Sequence, residues 1–274
     1  MSKPLYHVVS LSGGKDSTAM LLMMVERQMP IDLILFCDTG LEFPAMYDHL
    51  DKLEKIINIP IMRVCADMPY EYYFLEVPVR RLHETEFSKK FGLNHKGYGW
   101  AGPKMRWCTS ILKDTPRERF LRPLRKKYEI KQYIGIAADE INRLERKRNQ
   151  DPSHIHPLVE WGVTEAECLK YCYDHGFDWG GLYEIFHRVS CWCCPLQALS
   201  ELRKLRLLYP ELWEKLKSWD KQTWRKFRAD YSVEELEMRF DFENECLSLG
   251  KPIKGKAFYK ELRERLDMGV SGDE

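Results

Sequence analysis

The chain has 274 residues, 44% of them hydrophobic, and a formal net charge of +1. That length suits one large α/β domain, or a domain with an appendage, and the apolar content supports a packed core and excludes a disordered chain. No run of 18 or more apolar residues is present, so no membrane span is expected, and the near-neutral charge neither marks nor excludes a polyanionic partner.

The first residues run almost at once into a strand, without the apolar stretch and cleavage site of a signal peptide, so a soluble cytoplasmic protein is expected. YHVVSL is β-branched and of strand length, and STAMLLMMVERQ follows it with strong helix formers. DLILFCD reads as a second buried strand. In AMYDHLDKLEKII, Met46, His49 and Leu50, Leu53, and Ile56 and Ile57 recur at helical spacing. IPIMRVCAD is a third strand and KQYIGIAAD a fourth. Strands alternating with helices predict an α/β fold with a parallel sheet. Residues 69–107 mix proline, glycine, aromatic and basic residues and read as a long active-site segment or lid. Thr164 and Glu167 have capping-box spacing, as do Ser232 and Glu235. After Pro195 comes a helical tail, interrupted near Pro210.

The segment SLSGGKDS joins the first strand to the first helix. Gly13 and Gly14 open backbone conformations closed to other residues and let main-chain N–H groups approach an anion. Ser12 and Ser17 add hydroxyls, Lys15 adds charge, and the helix directs its positive end to the same place. The spacing is neither a Walker A loop nor G-x-G-x-x-G. A plain strand-to-helix turn is the alternative.

S-G-G-x-D-S resembles the pyrophosphate-loop motif of the adenine nucleotide alpha hydrolase superfamily. Further stretches narrow the resemblance to the phosphoadenosine phosphosulfate (PAPS) reductase family. They are DTGLEFP from Asp38, RWCTSILKDTP from Arg106, HPLVEWGVTEAECLKYC, and GLYEIFHRVSCWCCP. They occur in the family's order from about residue 6 to about residue 196. The resemblance implies a doubly wound parallel sheet, Rossmann-like, with the nucleotide over the carboxyl ends of the strands. It implies a nucleotide-binding domain over 1–196, and the helical extension over 197–274 lies outside it. By match, Ser12, Gly13, Gly14, Lys15, Asp16 and Ser17 would bind phosphates. Asp38, Thr39 and Gly40 would line the adenosine side, although a strand-ending turn explains Asp38 as well. Lys15 and Asp16 are the candidate catalytic pair, with Mg²⁺ as the metal that Asp16 would orient.

Nine cysteines are many for a reducing compartment, where they serve more often as metal ligands or catalytic groups than as disulfides. Cys191 and Cys194 have C-x-x-C spacing. The resemblance brings Cys108 to the same site. Family members with a 4Fe-4S cluster use a cysteine pair there, and here Thr109 follows Cys108. Three matched ligands remain, Cys108, Cys191 and Cys194, which would leave one iron open. Cys193 is a candidate reactive thiol or fourth ligand. A structural Zn²⁺ site or a metal-free dithiol are the alternatives. Cys37 and Cys65 read as core, Cys168 and Cys172 as a packed i, i+4 pair. Cys246 lacks the Cys-Gly-Leu-His context of thioredoxin-dependent PAPS reductases.

Where those reductases carry an arginine soon after the glycine, this chain has Ala137 and Ala138, with Glu140 and Arg143 beyond. That favours ATP, or another adenine nucleotide, over PAPS or adenylyl sulfate (APS). The expected activity is adenylation of an acceptor followed by iron–sulfur-dependent sulfur transfer. Sulfonucleotide reduction is the alternative, and a non-catalytic nucleotide-binding component of a larger assembly is a third reading. Basic residues from Arg203 to Arg228 interleave with Trp213, Trp219 and Trp224, and a second basic stretch runs from Arg117 to Lys127. Such stretches suit tRNA or another nucleic acid. A solvated helix face with its tryptophans turned to the core is the competing reading. His154 and His156 read as structural, and a homodimer is a candidate assembly.

Overall fold

The computed structural model describes residues 3–80, 83–84, 88–89 and 92–270. In chain order the main elements are β1 (Leu5–Leu11), α1 (Lys15–Glu26), β2 (Leu33–Cys37), α2 (Pro44–Ile57), β3 (Ile61–Val64), β4 (Pro78–Arg80) and β5 (Asn94–Lys96). There follow α3 (Thr115–Lys127), β6 (Glu129–Ile134), β7 (His154–Ile155), α4 (Glu165–Asp174), α5 (Leu199–Leu208), α6 (Pro210–Gln222), α7 (Val233–Ser248) and α8 (Lys256–Val270). Two compact units result. One comprises residues 1–70 and 106–192, the other 71–105 and 193–274.

The first unit holds a five-stranded sheet in the order β3-β2-β1-β6-β7, with every pairing parallel. β1 lies at the centre. Its consecutive residues Val8 and Val9 are both fully buried although they point to opposite faces, so both faces are covered, as a parallel sheet requires. Val8 packs with Leu35, Ile130 and Leu121 of α3. α1 packs against α4, where Cys168 and Cys172 are fully buried. On α2, Met46, His49, Leu50, Leu53 and Ile57 form the buried stripe, while Ile56 is exposed. Thr164 closes a capping box with Glu167 at the start of α4.

Gly135 ends β6 directly against the first turn of α1. A methyl group there would lie 2.7 Å from Ser17 Cα and 2.8 Å from its amide nitrogen. That contact is with backbone and cannot be relieved by a rotamer change. Gly135→Ala is therefore expected to cost about 1–3 kcal/mol, read by urea denaturation.

The second unit joins the antiparallel β4–β5 hairpin to the four C-terminal helices. Trp100, Phe74, Trp219 and Phe227 form its aromatic core. Asp220 accepts from the Trp100 indole at 2.7 Å and from the Val233 amide at 2.7 Å, tying α6 to the start of α7. The Ser232–Glu235 capping box is present, and Pro210 opens α6 as its first residue. Phe242 and Cys246 of α7 pack on Phe258 and Leu262 of α8.

Several expectations are corrected. The 69–107 stretch contributes the β4–β5 hairpin to the second unit. His154 belongs to a fifth, two-residue strand, too short to show a periodicity. Trp213 and Trp219 are buried and serve the core, while Trp224 is half-buried and donates its indole N–H to the Gly97 carbonyl at 3.1 Å. Their basic neighbours are largely neutralised: Arg203 pairs with Glu243, Arg206 with Glu237 and Asp241, Lys217 with Glu237 and Lys226 with Glu235. Cys65 is exposed and Cys37 only half-buried. Both stand where a strand reaches the rim and leaves the packed layer. Among the described residues no helix is long and apolar enough to cross a membrane.

Candidate nucleotide and thiol site

In an open α/β sheet, ligands bind outside the carboxyl ends of the strands where the strand order reverses. Here the chain leaves β1 toward β2 on one side, while β6 flanks β1 on the other. The loops after β1 and β6 therefore meet at the switch point, and they carry Ser12–Ser17 and Gly135–Glu140.

The loop is held by side chains from distant segments. Gly13 has φ +77°, and a Cβ there would strike Met46 Sδ at 2.6 Å. The Gly13 carbonyl accepts from the Trp179 indole at 2.7 Å. The Lys15 amide donates to the Tyr183 hydroxyl at 2.8 Å. Ser17 Oγ lies 2.9 Å from Ser12 Oγ, accepts from the Ser12 amide and donates to the Gly14 carbonyl. Gly14 caps α1 and has no side chain to cap it with, which leaves the helix N-terminus directed at the loop, with Tyr183 on its first amide.

Lys15 Nζ is 2.7 Å from Asp16 Oδ1 and 2.7 Å from Glu165 Oε1. Desolvation pulls the Lys15 pKa down, but its hydrogen bonds and charge interactions with Asp16 and Glu165 outweigh this and hold it above the ordinary lysine value. Burial raises the Asp16 carboxyl, Glu140 and Glu165 add to the rise, and Lys15 opposes it. Carboxylate oxygens of Asp16, Glu140 and Glu165 lie within 4.8 Å of one another. This is a hard oxygen set of the kind Mg²⁺ takes. Glu140 also accepts from Arg143 at 2.7 Å and from the Ala137 amide at 3.3 Å. Glu165 was not legible as a site residue, because it reaches Lys15 from α4, 150 residues along the chain.

Behind the loop, His49 is buried, stacked on Trp179 and 3.0 Å from Thr18 Oγ1. Burial, with help from Lys52, pushes its pKa down to about 3 from 6.5. The unfolded chain binds this proton below pH 6.5 and the folded chain does not until about pH 3. The stability linked to His49 is thus complete above pH 6.5 and is lost as pH falls, by about 1.4 kcal/mol per pH unit. Stability curves of wild type and His49→Gln between pH 7 and pH 4 should diverge by that slope.

At the end of β2, Asp38 Oδ1 accepts from the Gly40 amide at 2.9 Å and from Tyr47 at 2.8 Å, and Thr39 donates to buried Glu42 at 3.1 Å. Cys191 Sγ lies 3.9 Å from Thr39 Oγ1 and 4.0 Å from Glu42 Oε1. Lys113 Nζ is 3.8 Å from Glu42, and its carbonyl is 3.5 Å from Cys37 Sγ. Desolvation pulls the Lys113 pKa down, yet Cys191, Glu42, Cys37 and Cys108 hold it above the ordinary value. Burial raises the Cys37 thiol, with Arg117 and Lys113 opposing the rise. Cys108 sits in the short helical turn Trp107–Thr109, and the segment Ser110–Asp114 that carries Lys113 is a π turn, a widened geometry common at functional sites. In the second unit Cys193 is 3% exposed and Cys194 is half-buried. Burial raises the thiols of Cys168, to about 12, and of Cys172, so both are inert packing groups.

The family model for the phosphoadenosine phosphosulfate reductase domain matches residues 6–197. An uncharacterized protein of Methanocaldococcus jannaschii is 27% identical over 225 residues, which are 76% of this chain and 40% of that protein. The chain thus spans less than half the length of this curated relative. Among solved structures, a PAPS reductase from Candida auris in complex with phosphate matches with a TM-score of 0.41 at 16% identity, covering 69% of this chain and 81% of that one. The U34-tRNA thiolase of Methanococcus maripaludis with its 4Fe-4S cluster matches with a TM-score of 0.38 at 17% identity, covering 88% and 74%.

Proposed function

The chain belongs to the phosphoadenosine phosphosulfate reductase domain family, and from that premise we propose that it binds ATP on the Ser12–Ser17 loop and adenylates an acceptor for sulfur transfer at a cysteine-held iron–sulfur cluster. The observation that carries the reading is Lys15, held between Asp16 and Glu165 at the mouth of a glycine loop on the sheet's switch point.

In this reading the amides at the start of α1 and the Ser12 and Ser17 hydroxyls hold the phosphates. Lys15 turns from the carboxylates to the phosphate as ATP enters. Asp16, Glu140 and Glu165 would then hold Mg²⁺, which supplies charge neutralisation at the departing pyrophosphate. An acceptor oxygen attacks the α-phosphorus, and the bond to the β-phosphate oxygen breaks. Lys15 and the backbone donors stabilise the negative charge that develops. Ala137 and Ala138 supply no cation for a sulfonyl group, which favours ATP over a sulfonucleotide.

Cys108, Cys191 and, by its C-x-x-C spacing, Cys194 would hold the cluster. Soft thiol donors beside the Lys113 ammonium fit such a group. When bound, it would supply an iron able to carry sulfur.

The test is anaerobic incubation with α-labelled ATP, Mg²⁺ and bulk tRNA as an acceptor probe. Without a sulfur donor, pyrophosphate and adenylated acceptor are expected in equal amounts; with sulfide supplied, the sulfur displaces AMP from the acceptor, and AMP and pyrophosphate are expected in equal amounts. Sulfite release from PAPS with a reductant, and no acceptor-dependent pyrophosphate, would replace this reading with sulfonucleotide reduction.

A further inference from the structure

We propose that Trp179 is a positioning residue of the nucleotide loop, whose indole N–H fixes the Gly13–Gly14 peptide so that the Gly14 amide points at the phosphates. The proposal rests on the reading above, in which this loop holds the phosphates.

Trp179 keeps a backbone that its own side chain disfavours. Its φ is +52°, and Gly180 and Gly181 follow at +60° and +81°. The glycines enter the left-handed region freely, whereas a bulky side chain there is strained. Such strain persists where the surroundings over-determine it, and it gathers at functional positions. The turn is secured by Asp178, whose Oδ1 accepts from the Gly180 amide at 3.1 Å. The Trp179 ring is 1% exposed, stacked on His49 with centroids 4.5 Å apart and met edge-on by Tyr183 at 4.8 Å. These contacts hold the ring in one orientation, with Nε1 2.7 Å from the Gly13 carbonyl across 166 residues of chain.

A peptide unit is planar and trans, so its C=O and N–H point in opposite directions. The Gly13 carbonyl is drawn inward by Trp179 at 2.7 Å and by the Thr18 hydroxyl at 3.4 Å. The φ of +77° at Gly13 admits this orientation. The Gly14 amide is therefore turned outward, where it lies 3.4 Å from the exposed Ser12 hydroxyl. That contact is long, and a phosphate oxygen can replace it. Without the indole, the peptide is freer to rotate and to present a carbonyl oxygen to the phosphate, which repels it. Packing alone would be served by a ring without a donor.

The test is isothermal titration calorimetry of Trp179→Phe with ATP and Mg²⁺ and, separately, with adenosine, which carries no phosphate. ATP affinity is expected to fall about tenfold or more, the usual weight of a hydrogen bond to a charged group, while adenosine affinity stays within about twofold of wild type. A purely structural role would move both ligands together. Where the smaller ring prevents folding, replacing the Trp179 indole by its benzothiophene isostere removes the N–H and keeps the shape, and the same contrast is expected. A folded variant that binds ATP as tightly as wild type, or that loses ATP and adenosine equally, would overturn the proposal and leave the nucleotide reading standing. Wild-type protein that binds no ATP would overturn both.

Discussion

Lys15→Ala is expected to reduce acceptor-dependent pyrophosphate release by about 10²–10³-fold, the usual loss when a preorganised charge at the reacting phosphate is removed. Unchanged turnover would show that the loop does not bind the reacting nucleotide. The same substitution has a second consequence that needs no substrate. In the resting protein the Lys15 ammonium bridges Asp16 and Glu165, with Glu140 close by. Without it, three carboxylates face one another in a site where burial already raises the Asp16 pKa. A carboxyl raised in the folded state destabilises the fold above its unfolded pKa, and protonation at lower pH relieves the repulsion. Lys15→Ala should therefore lose more thermal stability at pH 7.5 than at pH 5, and Lys15→Arg should lose less. The pH contrast separates lost charge compensation from a general packing defect.

Cys191→Ala is expected to take iron and acid-labile sulfide from about four of each per chain to near zero. Cys191 is the thiol that approaches both Thr39 and Glu42, and it contributes to holding Lys113 charged. Cys65→Ser should leave the metal content at the wild-type value, because Cys65 is exposed beyond the end of β3. Zinc without sulfide in the wild type would make the centre structural and would move the function toward nucleotide binding alone.

The parts of the fold legible in the sequence are those written in local periodicity. β1, β2, β3 and β6 follow from apolar runs, α2 from its 3.6-residue stripe, and the starts of α4 and α7 from their capping boxes. β7 has two residues and no period to show. The β4–β5 hairpin is two three-residue strands in a stretch whose aromatic and glycine content reads equally as loop. The loop residues could be named because their types and order carry a motif. Glu165, Tyr183 and Trp179 could not be tied to the loop, because each reaches it across about 150 residues or more of intervening chain. Cys37 misled for a related reason. An apolar flank predicts burial, but the last residue of a strand leaves the core however apolar its neighbours are.

Tyr183 gives the loop a further property. Its hydroxyl already occupies the Lys15 amide, the backbone donor an incoming phosphate oxygen would seek. Capture of the anion at that amide is an exchange of one acceptor for another. The hydrogen-bond count there does not rise, so the net favourable contribution must come from ionic attraction to Lys15 and the helix terminus. Affinity for a triphosphate should then weaken steeply with ionic strength, and Tyr183→Phe, which frees the amide in advance, should tighten binding at every salt concentration while leaving that steepness unchanged.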